Sequence, residues 1–237
     1  MESSTYVSLS RQQGLMREMR LIANNIANAS TTGYRQQGIV FSEYIRQTDL
    51  AGSLSMPAAN IQNTSYQQGT LTQTGGQLDV GIEGEGFFLV AAPQGERLTR
   101  AGAFALSSQG DLVTQDGYPV LDAGGAPLFV PPDASDLAIA QDGTLSTQGR
   151  PIGQLGLVRP LDAQAMVREG GVLFRADAGF EPLENPTLRQ GFVESSNVDP
   201  ILQVARMIEV QRAYEMGQSF LEREDERIRT AIKSFTR

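Results

Sequence analysis

The sequence predicts an α+β chain: a discontinuous coiled-coil helical domain built from both termini, with a mostly antiparallel β domain inserted between them. Three observations carry this reading. Apolar residues recur at helical spacing from Tyr6 to Ala29 and again from Ser196 to Phe235. Between them, from Leu78 to about Pro186, the pattern changes to short apolar runs broken by Gly, Asp and Pro, as in strands joined by tight turns. The first helical run also stops abruptly, in a cluster of short polar side chains followed by Gly33.

In the first helix, Leu15, Met19, Ile22 and Ile26 follow one another at steps of four, three and four, forming one apolar face. Ser3, Ser4 or Thr5 is expected to cap its start. Gly14 weakens it by about 1 kcal/mol against alanine. At its end Asn28, Ser30, Thr31 and Thr32 compete for backbone hydrogen bonds, and Gly33 accepts the positive φ that stops a helix. Asn24 and Asn28 are four apart, Asn25 and Asn28 three apart, so their amides are expected to share a side. They read either as a polar helix end in water or as amides buried between subunits, each donating and accepting and so fixing register.

Residues 36–77 are polar and read as a connecting segment, with Phe41, Tyr44 and Ile45 as an apolar anchor. Residues 78–190 read as the β domain. Gln115-Asp116-Gly117 and Gln141-Asp142-Gly143 are expected to be hairpin turns, because Asp-Gly suits the positive φ angles of such turns. Phe87, Phe88, Leu89 and Val90 are apolar on both faces of a strand, which predicts a buried one. Residues 191–237 hold the last helix, with Asp199 as its cap and Pro200 at its first position. Val204, Met207, Gln211, Tyr214, Gln218, Leu221, Asp225, Ile228, Ile232 and Phe235 follow at alternating steps of three and four, the seam of a coiled coil. Polar Gln211, Gln218 and Asp225 weaken that seam but select one register. So long a helix needs neighbours on more than one face; residues 1–35 supply one, and other subunits are expected to supply the rest.

Composition narrows the chemistry. The chain has 237 residues, no cysteine and no histidine, so disulfides, thiolate nucleophiles and the commonest general base and metal ligand are absent. With 19 basic and 27 acidic side chains its formal charge is −8, which argues against a nucleic-acid partner. The opening Met1-Glu2-Ser3-Ser4-Thr5 lacks the character of a cleaved signal, and no stretch approaches the roughly 20 apolar residues of a membrane span, so no membrane insertion is expected. Gly81-Ile82-Glu83-Gly84-Glu85-Gly86 has glycine spacing unlike that of a dinucleotide loop and leads into a strand, so it reads as strand-turn geometry. Glu83 and Glu85 are expected on one strand face, with nothing marking a pocket around them. Glu222 to Arg229 reads as an exposed helix face with Asp225 and Arg229 paired. No catalytic residue, cofactor or metal is implied.

Strings along nearly the whole chain resemble one family. They are Tyr6-Val7-x-Leu9-Ser10-Arg11-Gln12, the asparagine cluster running into Thr32-Gly33-Tyr34-Arg35, Gln68-Gly69-Thr70-Leu71, Leu78-Asp79-Val80, Gly86-Phe87-Phe88 and Arg100-Ala101-Gly102-Ala103-Phe104. Asp116-Gly117-Tyr118-Pro119, Glu194-x-Ser196-Asn197-Val198-Asp199 and Met207-Ile208-Glu209-x-Gln211-Arg212-Ala213-Tyr214-Glu215 follow in order. In this order they resemble the rod proteins of the bacterial flagellar basal body, and among them those of the proximal rod. Asp199-Pro200 departs from the usual continuation and touches only the helix start.

The resemblance implies a structural subunit that stacks head to tail, without closing, into a helical drive shaft carrying torque through the periplasm. It implies copies of the chain itself, other rod proteins and the flagellar export apparatus as partners, with export of an uncleaved chain. The implied subunit contacts are Leu15, Met19, Ile22, Asn24, Asn25, Ile26 and Asn28, together with Val204, Met207, Gln211, Tyr214, Gln218, Leu221, Ile228, Ile232 and Phe235. Two alternatives stay open: a distal rod subunit of the same family, and a secreted β domain that binds glycan or protein. A carboxylate enzyme built on Glu83 and Glu85 is a remote third.

Overall fold

The computed structural model describes residues 2–48, 52–132, 134 and 136–235, with side chains for 7–40, 63–132, 134 and 136–234. Among the described residues the chain is α+β, with two long helices and many antiparallel strands. It divides into two compact units. One comprises residues 1–27, 36–65 and 198–237, the other 28–35 and 66–197.

The helical unit is made of α1 (Glu2–Ala27), α2 (Pro200–Phe235) and a hairpin of β1 (Gln37–Thr48) and β2 (Gly52–Thr64). Ser3, Ser4 and Thr5 lie inside α1, one or more residues beyond its start at Glu2, so none of them is the cap. Within the segment 36–77, β1 and β2 pair antiparallel, in register from Gln37 opposite Thr64 to Thr48 opposite Gly52, with an irregularity between Val40 and Phe41. The side chains of Phe41, Tyr44 and Ile45 lie outside those described.

α1 and α2 run antiparallel, as three polar contacts along them show. Gln12 Nε2 donates to the Tyr214 carbonyl at 2.9 Å, Arg206 Nε to Glu18 Oε1 at 2.8 Å, and Asn25 Nδ2 to Gln203 Oε1 at 3.1 Å. Between these rungs Leu15, Ile22 and Val210 are buried, with Met19, Ile26, Met207, Ala213 and Tyr214 packed against them. On α2 the buried or half-buried line is Gln203, Met207, Val210, Tyr214, Gly217 and Leu221, again at alternating steps of four and three. It keeps Met207, Tyr214 and Leu221 of the expected seam but replaces Val204, Gln211 and Gln218, all exposed, by the residue one position earlier. The physical reason is local. Gln203 has an amide partner in Asn25, and Gly217 leaves room for Gln12, since a Cβ there would lie 2.4 Å from Gln12 Nε2.

Asp199 caps α2: its Oδ1 accepts the Ile201 amide at 2.9 Å and the Leu202 amide at 3.1 Å.

The β unit is organised by a six-stranded antiparallel sheet. Its order is Met166–Arg168, Leu173–Ala176, Gly95–Thr99, Phe87–Ala92, Leu157–Pro160, Phe180–Pro182. The strand Phe87–Ala92 separates two apolar cores by its alternation: Phe88 and Val90 face a large core with Val80, Ile82, Leu112 and Leu145, while Phe87 and Leu89 face a smaller one with Leu98, Val158 and Phe174. A strand buried on both faces must be apolar at every position, which is why its sequence does not alternate.

Both Asp-Gly turns are hairpin turns. The Gly117 amide bonds the Thr114 carbonyl at 2.9 Å and the Gly143 amide bonds the Ala140 carbonyl at 3.0 Å. Only the glycines take positive φ, +84° and +85°, while the aspartates do not. The turns are therefore of the kind that ends in a glycine bulge, and not two-residue turns with positive φ at both centres.

Candidate functional site

Two places in the molecule are candidates for a functional role. One is the outward side of the helices. α2 exposes Ile201 (79 %), Leu202, Val204, Ile208, Met216 (68 %) and Phe220, and α1 exposes Leu9 and Met16. Ile201, Val204 and Ile208 are spaced three and four apart, and Met216 and Phe220 four apart, so α2 carries a second apolar line, interrupted by exposed Arg212, as well as the one against α1. Large apolar side chains massed on an exposed surface mark an interaction site. This second line was in the sequence at helical spacing, but a reading that looks for one seam stops once it has found one.

The expected contact residues are divided by this geometry. Leu15, Met19, Ile22 and Ile26 of α1 pack against Met207 and Tyr214 of α2, and Leu221 is half-buried on the same line of α2. Val204, Gln211, Gln218, Ile228 and Ile232 are exposed, and the side chain of Phe235 lies outside those described. The asparagines do not share a side. Asn24 is exposed, while Asn25 is 1 % exposed inside its own chain. Asn28 is half-buried in the β unit, where its Oδ1 accepts the Thr31 hydroxyl at 3.2 Å.

The second place is a buried charge cluster inside the β unit that joins five of the strings read in the sequence. Arg35 is 3 %, Arg100 2 % and Glu194 1 % exposed. Glu194 Oε1 accepts Arg35 Nη2 at 2.8 Å and the Gly69 amide at 3.0 Å, and Oε2 accepts Arg100 Nε at 2.7 Å. Arg100 spends its other donors on the carbonyls of Gly86 at 2.6 Å and Gly84 at 2.8 Å, and Arg35 Nη1 donates to the Gln67 carbonyl. Burial pushes both guanidinium pKa values down, that of Arg100 to about 10, against the opposing pull of Glu194.

The backbone follows the charges. The Gly33 amide bonds the Glu194 carbonyl at 2.7 Å, and Gly33, at φ +70°, passes so close to Ala101 that a Cβ would lie 2.3 Å from its nitrogen. Tyr34, 1 % exposed, stacks under Arg168, whose guanidinium carbon lies 4.5 Å from the Tyr34 ring centre and 4.7 Å from that of Phe174. Arg168 Nη2 also donates to the Arg35 carbonyl at 2.5 Å. Burial raises the Tyr34 hydroxyl pKa, partly opposed by Arg168.

Sequence reasoning missed this cluster. Charged residues in isolation read as solvated, and Arg35, Arg100 and Glu194 are far apart in the chain. The one available signal was that each sits in a string of the resemblance.

A cavity of about 560 Å³ opens beside the cluster, lined by Tyr66, Phe87, Leu161, Arg100, Arg159 and Glu85 among others. Glu83 and Glu85 do not share a strand face, because the strand Val80–Ile82 ends before Glu83 and a bend follows; Glu83 is paired with Arg189 at 2.7 Å. Among the described residues no cluster of carboxylates is arranged to hold a metal ion, and no helix is long and apolar enough to cross a membrane.

The helical ends, the inserted β unit and the strings gathered at Glu194 define an axial protein of the bacterial flagellum, and comparison with known proteins bears on this directly. Three family models match: "Flagella basal body rod protein" over residues 6–35, "Flagellar hook protein FlgE/F/G D1 domain" over 81–147, and "Flagellar basal body rod FlgEFG protein C-terminal" over 189–234. The chain is similar to the flagellar basal-body rod protein FlgF of Caulobacter vibrioides, 38 % identical over 98 % of both chains. It is similar also to FlgF of Mesorhizobium japonicum, 36 % identical over 91 % of this chain and 90 % of the other, and to FlgG of Bacillus subtilis, 32 % identical over 94 % and 95 %. The chain belongs to the flagellar basal-body rod protein family. It is a structural protein of the basal-body rod and not an enzyme, and it assembles with other rod proteins.

Proposed function

We propose that the chain is a FlgF-like subunit of the proximal rod, which polymerises with copies of itself and with other rod proteins into the helical shaft that transmits torque across the periplasm. The observation that carries this is the second apolar line of α2, Ile201, Val204, Ile208, Met216 and Phe220, exposed on a helix whose other side is already covered by α1. In this reading α1 and α2 are the coiled-coil core of each subunit, and the outward line of α2 packs on the helices of neighbouring subunits. Contacts of this heterologous kind do not close on themselves, as a shaft requires. The higher identity to FlgF than to FlgG, and the Tyr6-to-Gln12 opening of α1, favour the proximal position over a distal one. Delivery through the flagellar export apparatus, without cleavage, belongs to the same reading.

Because the chain has no cysteine, single cysteines report contacts without background. Ile208→Cys and Met16→Cys place thiols on the outward sides of α2 and α1. After oxidation of living cells, chains cross-linked to one another or to other rod proteins are expected in detergent-extracted basal bodies. A soluble, uncross-linked chain, present in amounts unrelated to basal bodies, would overturn the reading.

A further inference from the structure

The buried cluster has a position as well as a charge. The chain passes between its two units after residue 27, after 35, after 65 and after 197. The Glu194 side chain and backbone hold the β-unit stretches adjoining the last three of these passages. Its carboxylate takes Arg35 and the Gly69 amide, and its carbonyl takes the Gly33 amide. Two further bonds tie the same stretches to each other: the Asn197 amide to the Tyr34 carbonyl at 3.3 Å, and Asn197 Nδ2 to the Gln67 carbonyl at 2.8 Å.

Stability alone is a poor account of such a cluster. Desolvating two guanidiniums and a carboxylate offsets most of their attraction, and apolar side chains of similar volume commonly hold a fold as well or better. Apolar side chains lack direction, however. A carboxylate whose two oxygens are each bound by a planar guanidinium accepts only a narrow range of geometries. Arg100 is itself pinned by two carbonyls, at Gly84 and Gly86, so the position of Glu194 is referred back to the interior of the sheet unit.

We propose that Glu194 is a positioning residue for rod assembly: its carboxylate locks, inside the β unit, the three stretches from which the chain departs toward the hairpin and α2. A shaft built from such subunits, on the rod reading given above, then resists twisting at these stretches. The residue acts through the segments it holds and touches no other subunit to do so.

The test replaces direction while keeping volume. In the triple variant Glu194→Leu, Arg35→Met, Arg100→Met the cluster becomes apolar. The purified variant is expected to keep a cooperative thermal transition and unchanged amide exchange in the strand Phe87–Ala92. Exchange within 33–35, 67–69 and 195–197 is expected to rise about tenfold or more, as local opening no longer requires breaking ionic bonds. In cells its swimming speed is expected to fall more steeply with medium viscosity than that of the parent.

Unchanged exchange in the three stretches overturns the proposal, and so does faster exchange with a parental response to viscosity. If the triple variant does not fold, Arg35→Gln, which leaves Glu194 on Arg100, carries the same two measurements with the same criteria. Exchange is read on the purified chain, so its failure is distinct from failure of the rod reading, which would show as a parental chain missing from basal bodies.

Discussion

Asn25 and Gln37 are paired as two strands pair, although one of them is in a helix. Asn25 Nδ2 donates to the Gln37 carbonyl at 2.7 Å while its Oδ1 accepts the Gln37 amide at 3.0 Å. The side-chain amide thus completes the backbone of the first hairpin residue, and its second donor hydrogen reaches Gln203 on α2. One residue thereby joins all three parts of the helical unit. Asn25→Ala leaves two buried backbone groups and a glutamine without partners, and is expected to lower the unfolding free energy by about 2–3 kcal/mol or more. Asn24→Ala, at an exposed position, is expected to stay within about 0.5 kcal/mol. Denaturant midpoints of the two variants check the contrast.

Gly33 and Gly117 share positive φ, +70° and +84°, but not their surroundings. An added Cβ meets nothing within 4 Å at Gly117, whereas at Gly33 it meets the backbone of Arg100 and Ala101. Gly117→Ala is expected to lose only the about 1–2 kcal/mol that the left-handed conformation costs an alanine. Gly33→Ala is expected to lose well beyond that, because backbone cannot give way as a side chain can. Thermal unfolding of the two variants decides it.

The two apolar lines of α2 predict opposite outcomes for neighbouring valines. Val210 is 2 % exposed and Val204 47 %. Val210→Ala is expected to cost about 2 kcal/mol of stability. Val204→Glu is expected to leave the unfolding transition of the purified chain nearly unchanged, yet to remove the protein from basal bodies. Incorporation of Val204→Glu at the parental level would show that this line is not a contact.

Asp142 accepts the Thr144 amide at 3.0 Å and the Thr144 hydroxyl at 2.9 Å, and these bonds hold its carboxyl below the usual aspartate range. A lowered carboxyl pKa contributes stability that is fully present above its unfolded value and lost as pH falls through the lowered one. This turn is therefore expected to be indifferent to pH near neutrality and to weaken only in acid. Carbon-detected NMR titration of Asp142 should give a midpoint below that of an exposed aspartate, and Thr144→Ala should move it part of the way back.

Features set by local chemistry were legible in the sequence. Asp199 before Pro200 is a cap because side chain and amides are within a few residues of one another, and the structure shows those bonds. The two Asp-Gly turns and the doubly buried Phe87-to-Val90 strand were legible for the same reason, although the glycine bulge in each turn was not. The seam of α2 was half legible. Hydrophobic periodicity finds Met207, Tyr214 and Leu221, but it is blind to Gln203, buried because Asn25 satisfies it, and to Gly217, selected for the side chain it lacks. The pairing of β1 with β2 was not legible, because the polar composition of the segment 36–77 hides a register that only pairing reveals. The Arg35, Arg100 and Glu194 cluster was illegible for the strongest reason. No local rule says that three charges so far apart in the chain will be buried on one another.

The interleaving of the two units also governs what an unfinished chain can do. The β unit needs the strand Phe192–Glu194 to pair with Leu71–Gln73, and the helical unit needs residues after 197 to cover the apolar face of α1. A chain broken off before residue 194 therefore finishes neither. Such a fragment is expected to take no place in the rod. The topology thereby ties the folding of both units to the last segments of the chain.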